Sequence, residues 1–160
     1  MRPATLLKLS GELGGTWPVA VGHAAECRRR FSMQDVRDFA AVSGDANPIH
    51  VDEQAGKASR FGRNIVHGWL TASLFGSIFA TALPGAVYLS QSVDFVQPVF
   101  IDDEVHARVE VSMVTPRGRG FQAKCATTCS VFRDGKTIQV ISGEGVVLLP
   151  ANRPGTTAKL

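Results

Sequence analysis

The segment SGDANPIH, residues 43–50, places two side chains that can handle protons five positions apart, Asp45 and His50. Histidine titrates close to neutral pH, so His50 can take a proton from a water molecule or return one, while Asp45 orients the water or the imidazole. A plainer interpretation is a polar turn after a helix, in which Asp45 and Asn47 bond the local backbone. A zinc site is disfavoured, because this spacing is unusual for ligands and no cluster of cysteines or carboxylates follows.

A second segment, IVHGWL at residues 65–70, places a His-Gly pair at the start of an apolar run. The first N–H groups of a helix lack internal partners and lie at its positive end, and Gly68 would let a substrate approach them closely. Such a site suits a carbonyl whose oxygen gains charge during a reaction. Alternatively, His67 bonds the preceding loop and Gly68 only relieves packing. The two segments together predict proton transfer beside carbonyl polarisation.

Two helices are predicted to hold these segments. Residues 31–44, FSMQDVRDFAAVSG, read as a short helix that Ser32 caps at its start and Gly44 ends in the left-handed conformation. Pro48 biases Asn47 away from helical geometry, so DANPIH is predicted to be an extended or turning loop. Residues 51–62 form either another short helix or an irregular excursion. An uncharged helix from about Gly68 to Leu83 follows, apolar nearly all round and therefore predicted to be buried on all sides.

Strands are predicted after Gly85, where the apolar pattern changes to a period of two. Four antiparallel strands form a meander, with a turn at residues 117–120 and a hairpin at Asp134-Gly135. Gly143 and Gly145 suggest a bulge in the last strand. One face of the second strand carries Val105, Ala107, Val109, Val111 and Met113. The fold class is therefore α+β, with a sheet that curls around one buried helix.

The composition excludes several classes of protein. With 160 residues, 44% hydrophobic and 19% charged, the chain fits one globular domain. A net charge of +3 does not argue for nucleic acid, although it suits a phosphorylated cofactor or an acidic carrier protein. The buried helix would span roughly 24 Å, which is short for a bilayer, so no membrane span is expected. Three cysteines without framework spacing predict reduced thiols and a cytosol-like or mitochondrial-matrix compartment.

The chain is predicted to have three parts. Residues 1–27 form an N-terminal extension that is rich in arginine and poor in acids, and is either a mitochondrial presequence or a bacterial-type N-terminus. Residues 28–150 form the domain, in which Arg28, Arg29 and Arg30 are expected to be solvated surface. Residues 151–160 form a loose tail. We therefore expect the mitochondrial matrix, with the cytoplasm as the alternative for a bacterial protein.

At the level of whole segments, the chain resembles the MaoC-like hydratases: the (R)-specific enoyl-CoA hydratases and the mitochondrial 3-hydroxyacyl-thioester dehydratases. FSMQDVRDFAAVSGDANPIHVD, FGRNIVHGWLTASLF, LPGAVYLSQSVDFVQPVFIDDEV and GEGVVLLP carry the resemblance, over about residues 30–150. It implies a hot-dog fold, an antiparallel sheet wrapped around one long buried helix and paired into a homodimer. Two positions depart from the family pattern. Trp69 follows the His-Gly pair where Met or Leu is usual, and Asp102 replaces a glycine.

The resemblance also implies roles for residues. Asp45 and His50 become the catalytic pair, Asn47 supports the site, and Gly68 with His67 forms the substrate-binding end, where the Gly68 N–H meets the thioester carbonyl. The implied reaction is reversible hydration of trans-2-enoyl thioesters of CoA or acyl carrier protein to (R)-3-hydroxyacyl thioesters, with no metal or redox cofactor. The alternatives are a hot-dog thioesterase, which would need a carboxylate that the buried helix lacks, and a non-catalytic acyl-thioester binding module.

Overall fold

In the computed structural model, residues 10–13, 17 and 19–152 are described. They form a six-stranded antiparallel sheet and four helices. In chain order the elements are β1 Ser10–Gly11, β2 Ala24–Arg30, α1 Met33–Ser43, α2 Pro48–Val51, α3 Glu53–Ala58, α4 Gly68–Ala82, β3 Val87–Phe95, β4 Glu104–Arg117, β5 Gly120–Arg133 and β6 Lys136–Leu149. No helix of the described ranges is long and apolar enough to cross a membrane.

The order of strands across the sheet is β1-β2-β4-β5-β6-β3. The predicted hairpins are confirmed: β4 and β5 pair around residues 117–120, and β5 and β6 pair around Asp134 and Gly135, both of which have positive φ. The first predicted strand, β3, does not begin a meander, because it pairs with β6 at the far edge. The segment 96–103 then leads the chain back to the other side of the sheet.

Helix α4 lies against the sheet, as the apolar run predicts, and begins at Gly68 as expected. Seven of its residues are buried in the core. The prediction that it is buried on all sides is wrong for this chain alone, since Trp69 is 60% exposed and Ser73, Ala80 and Thr81 are also exposed. The sheet can cover only one side of the helix, so the opposite side faces solvent.

The strand β4 shows where alternation fails. Val105, Ala107, Val109 and Val111 are all buried, but Met113 is 52% exposed. The pairing with β5 shifts register between Val111 and Met113, and one extra residue moves every later side chain to the other face.

The predicted bulge at Gly143 and Gly145 is also wrong, because both glycines sit in regular pairs with β3 and β5. The register of β6 against β5 shifts earlier, around Val140. A Cβ atom at Gly143 would collide with the Ser92 carbonyl of β3, so close approach of two strands accounts for this glycine.

The strand β2 begins at Ala24, four residues before the predicted domain boundary, and pairs with β4 along its whole length. Residues 24–27 therefore belong to the sheet. The three arginines of β2 are tied to acids at the surface: Arg28 and Arg30 pair with Glu104, and Arg29 pairs with Asp35. Residues 1–9, on which the presequence prediction rests, and 153–160 of the predicted tail lie outside the described residues. All three cysteines are buried free thiols.

Candidate active site

Helix α1 delivers Asp45 to the site. Ser32 and Asp35 form a reciprocal capping box at its start, as the sequence predicts. Gly44 ends the helix at φ 79°, and its N–H bonds the Ala40 carbonyl. The Ser43 hydroxyl then accepts the Asp45 N–H at 3.2 Å. Asp45 is thus held at the end of a doubly capped helix, with its side chain 51% exposed.

The predicted loop at residues 45–50 is partly wrong, because residues Pro48–Val51 form the one-turn helix α2. Proline at the first helical position loses no hydrogen bond there, since that N–H has no partner in a helix. Asn47 is the N-cap, and its side-chain oxygen accepts the Ile49 N–H at 3.3 Å. The short helix α3 follows at once, as one of the two sequence interpretations predicts. The contact that Asn47 makes is therefore with the backbone of the turn that carries His50.

The loop before α4 fixes the orientation of His50. Its Nδ1 lies 2.9 Å from the Ile65 carbonyl, which can only accept, so Nδ1 carries the proton and Nε2 keeps the lone pair. The buried Asn64 holds the same loop, because its Nδ2 donates to the carbonyls of Ile49 at 3.0 Å and Asp52 at 2.8 Å. Burial lowers the pKa of His50, and the nearby His67 lowers it further, while the bond to the Ile65 carbonyl opposes the shift. The neutral, proton-accepting ring is the form present at pH 7.

His67 supports the site from beneath. It is 1% exposed and stacks on His50, with 3.9 Å between ring centroids and 29° between planes. Phe39 packs on it at 5.0 Å. Its Nε2 lies 2.9 Å from the Asp45 carbonyl oxygen, so Nε2 is the protonated nitrogen. Its Nδ1 is the only buried side-chain polar atom without a hydrogen-bond partner among the described residues.

Asp45, His50 and His67 come together as a cluster. Each offers a polar side-chain atom, and these atoms lie within 4.8 Å of one another. A water with two hydrogen bonds of about 2.8 Å bridges a gap of that size. A metal ion fits less well, because lone pairs lie in the ring plane and those of two nearly parallel rings run side by side instead of converging. One nitrogen of each ring is also engaged with a carbonyl.

A cavity of about 250 Å³ opens beside His50. Gly68, the first residue of α4, lines it together with residues of the loop 60–66 and of the segment 95–99. The first internal bond of α4 runs from the Thr71 N–H to the His67 carbonyl, so the Gly68 N–H has no acceptor within the helix. The cavity therefore holds a proton acceptor and the positive end of a helix on its wall.

Gly68 also has a packing role that the sequence left open. A Cβ atom there would lie 2.5 Å from the ring of Phe95, which lines the same cavity and packs edge-on against Trp69. Sequence reasoning missed three site residues: Asn64 and Ile65, which position His50, and Phe95, which covers Gly68. An amide between an arginine and an apolar pair, in the segment RNIV, was the available signal for the first.

Comparisons with known proteins agree with this arrangement. Residues 20–131 match the model of the MaoC-like domain family. The chain is 42% identical to an (R)-specific enoyl-CoA hydratase of Aeromonas caviae, over 81% of this chain and 95% of the relative. It is 36% identical to a mitochondrial 3-hydroxyacyl-[acyl-carrier-protein] dehydratase of Arabidopsis thaliana, over 81% of this chain and 77% of the relative.

The solved structures give the fold. An (R)-hydratase of A. caviae superposes with a TM-score of 0.77 at 38% identity, over 84% of this chain and all of that one. An R-hydratase of Pseudomonas aeruginosa superposes with a TM-score of 0.76 at 31% identity, over 91% and 90% of the two chains. The sheet and the long helix α4 thus define a hot-dog fold, which confirms the predicted class. The chain belongs to the MaoC-like domain family.

Proposed function

We propose that this protein catalyses the reversible hydration of trans-2-enoyl thioesters to (R)-3-hydroxyacyl thioesters. The observation that carries the proposal is the gap between Asp45 and His50, of the right size for one water, beside a cavity that Gly68 lines. The relatives named above as a hydratase and a dehydratase support the same reaction class. Because the reaction is reversible, the same residues serve dehydration.

The geometry suggests a role for each group. The thioester carbonyl accepts the Gly68 N–H, and the Asp45 carboxylate accepts one hydrogen of the water. His50 Nε2 takes the other proton as the water oxygen bonds to C3, and the electron pair of the double bond moves into the carbonyl to form an enolate. The imidazolium then gives that proton to C2, the enolate collapses, and His50 is neutral again. His67 and Asn64 position His50, and Asn47 caps its helix.

Crotonyl-CoA tests the reaction and its rivals. Hydration predicts loss of enoyl absorbance without release of free thiol, a thioesterase releases thiol, and a binding module does neither. We expect Asp45→Asn and His50→Ala each to lower turnover by roughly 10²–10⁴. Asp38→Asn, on the exposed side of α1, is the matched control. Both site variants should keep their melting temperature within a few degrees, and a collapse of both folds would support the structural-turn interpretation instead.

We also expect no metal or redox cofactor. The addition needs only a base, an acid and a carbonyl-polarising donor, all supplied by side chains and backbone. Dialysis against EDTA should leave the rate of crotonyl-CoA hydration unchanged. A rate that falls on chelation and returns with Zn²⁺ would instead assign the Asp45, His50 and His67 cluster to a metal.

A homodimer is the proposed assembly. The strand β3 is an edge of the sheet, and it exposes Val87 at 55% and Leu89 at 43%. Exposed Trp69 and Phe95 continue this apolar surface at the cavity. An unprotected apolar edge favours pairing with a second copy. Sedimentation should give twice 17.1 kDa at micromolar concentration. Val87→Lys with Leu89→Lys should give monomers, whereas Val42→Lys, exposed on α1, should not.

The mitochondrial matrix is the proposed compartment. Support comes from two plant relatives, of Arabidopsis thaliana and Solanum lycopersicum, whose names include the word mitochondrial. Bacterial relatives are equally similar, which keeps the cytoplasm as the alternative. Import of the full chain into isolated mitochondria, with loss of an N-terminal segment, is the expected result, and a chain that stays outside and uncut would favour the alternative.

A further inference from the structure

The cavity beside His50 has one formally charged side chain on its wall. Its lining is mostly apolar, with the hydroxyl of Thr71 and the amide of Gln97 as neutral polar groups. Arg60 is the exception, and its exposure places it where the cavity meets solvent. No acid lines the cavity in the described part of the chain. A ligand that enters here therefore meets a positive charge at the mouth.

Aromatic rings hold the guanidinium groups around this mouth. Arg60 lies over Phe61, with 4.7 Å from Cζ to the ring centroid. Arg63, across the turn that Gly62 closes, lies over Phe100 at 3.9 Å. A guanidinium that stacks on a ring keeps the N–H groups of its edge free to bind an anion in two places.

Local acids leave this charge uncompensated. Arg133 lies on the same Phe100 at 4.4 Å and pairs with Asp103, and it donates to the carbonyl of Pro98, which lines the cavity. In the described residues, neither Arg60 nor Arg63 has a carboxylate within 4.0 Å. Two arginines beside an apolar cavity are thus available to an anionic ligand.

We propose that Arg60, with Arg63 beside it, binds the phosphate of the pantetheine arm that carries the acyl thioester. This inference rests on the proposed function, since it places the reacting carbonyl at Gly68 and the arm in the cavity. The arm is neutral along its length and ends in a phosphate in both CoA and acyl carrier protein. One cation at the mouth of an apolar cavity matches that distribution of charge, and it would recognise either carrier.

The experiment compares thioesters that differ only in their phosphates. KM and kcat are measured for crotonyl-CoA, crotonyl phosphopantetheine, crotonyl pantetheine and a crotonyl acyl carrier protein. We expect Arg60→Gln to raise KM for the three phosphorylated substrates on the order of tenfold and to leave kcat unchanged. KM for crotonyl pantetheine should not move. Arg37→Gln, exposed on α1, is the control variant.

Each arm decides one point. A rise in KM for crotonyl-CoA alone would place the contact at the nucleotide and overturn the proposal. A rise for the acyl carrier protein alone would assign Arg60 to the surface of the carrier, and an equal rise for crotonyl pantetheine would show a change in the cavity itself. Either result also overturns it. Arg60→Lys should recover part of the lost affinity, because it restores the charge without the planar fork.

A binding measurement separates this inference from the proposed function. Butyryl-CoA lacks the double bond and cannot be hydrated, so calorimetry with butyryl-CoA and butyryl pantetheine tests the phosphate contact without turnover. If the wild-type protein fails to hydrate crotonyl-CoA but binds butyryl-CoA more weakly after Arg60→Gln, the proposed reaction fails and the phosphate site stands. If hydration proceeds and this substitution changes neither Kd, the phosphate site fails alone.

Discussion

Deleting the Gly68 N–H without breaking α4 would test the carbonyl-polarising role directly, and Gly68→Pro does this. Gly68 is the first residue of α4, where proline is favoured because no internal hydrogen bond is lost. His67 before it has a ψ of 134°, within the range that a residue preceding proline adopts. We therefore expect Gly68→Pro to fold with a stability close to that of Gly68→Ala.

The alanine variant isolates the steric part of the change. Both substitutions add a Cβ atom 2.5 Å from the ring of Phe95, so both must displace that ring. Making both in a Phe95→Ala background removes the collision. The remaining difference in turnover then reflects chiefly the missing N–H. Loss of one donor to a developing oxyanion costs about 10²–10³ in kcat, or about 2.7–4 kcal/mol.

The assay is hydration of crotonyl-CoA at saturating substrate, with thermal unfolding of each variant alongside. We expect kcat of the Pro variant to lie at least a hundredfold below that of the Ala variant, at similar melting temperatures. Two values of kcat within about threefold of each other would refute the oxyanion role. Gly68 would then be explained by the packing of Phe95 alone.

Three further predictions follow from single contacts. Because burial lowers the pKa of His50 from its ordinary 6.5, kcat/KM should stay level around pH 7 and fall only in acid, and stability should also decrease below about pH 6.5, where the unfolded chain takes up the proton first; an activity midpoint above pH 7 would contradict this. Asn64→Ala should lose about 1–3 kcal/mol in urea unfolding, since two carbonyls lose their donor; a loss under about 0.5 kcal/mol would contradict the contact. Asp102, at φ 65°, should gain about 0.5–1 kcal/mol on replacement by glycine, and a lower melting temperature would count against backbone strain there.

Local signals account for the parts of the fold that the sequence predicts well. The caps of α1 lie within its own fourteen residues, and the start of α4 follows from the change to an uncharged run. The hairpin at Asp134-Gly135 needs only two residues that accept positive φ. Asp102 shows the opposite case. The resemblance marks it as a departure from glycine, and the structure explains why glycine is usual, because the chain turns there with φ 65°.

Features that depend on distant partners escaped prediction. The strand β2 has the charged sequence ECRRR, and it becomes a strand because β4 supplies its hydrogen bonds and its acids. The exposure of Met113 depends on a register shift against β5, which no alternation within β4 reveals. Helix α2 is too short for periodicity, and only its asparagine cap and proline start mark it.

The histidine pair is the feature of the site that spacing along the chain predicts least. His50 and His67 are seventeen positions apart, yet their rings stack at 3.9 Å because α2 and the loop before α4 fold back on each other. Two backbone carbonyls choose opposite tautomers: Ile65 holds the proton of His50 on Nδ1, and Asp45 holds that of His67 on Nε2. The ring that reaches the cavity is therefore the one with a free Nε2, and its buried neighbour lowers its pKa further. The backbone of Asp45 thus acts through His67 on the base that its own carboxylate assists.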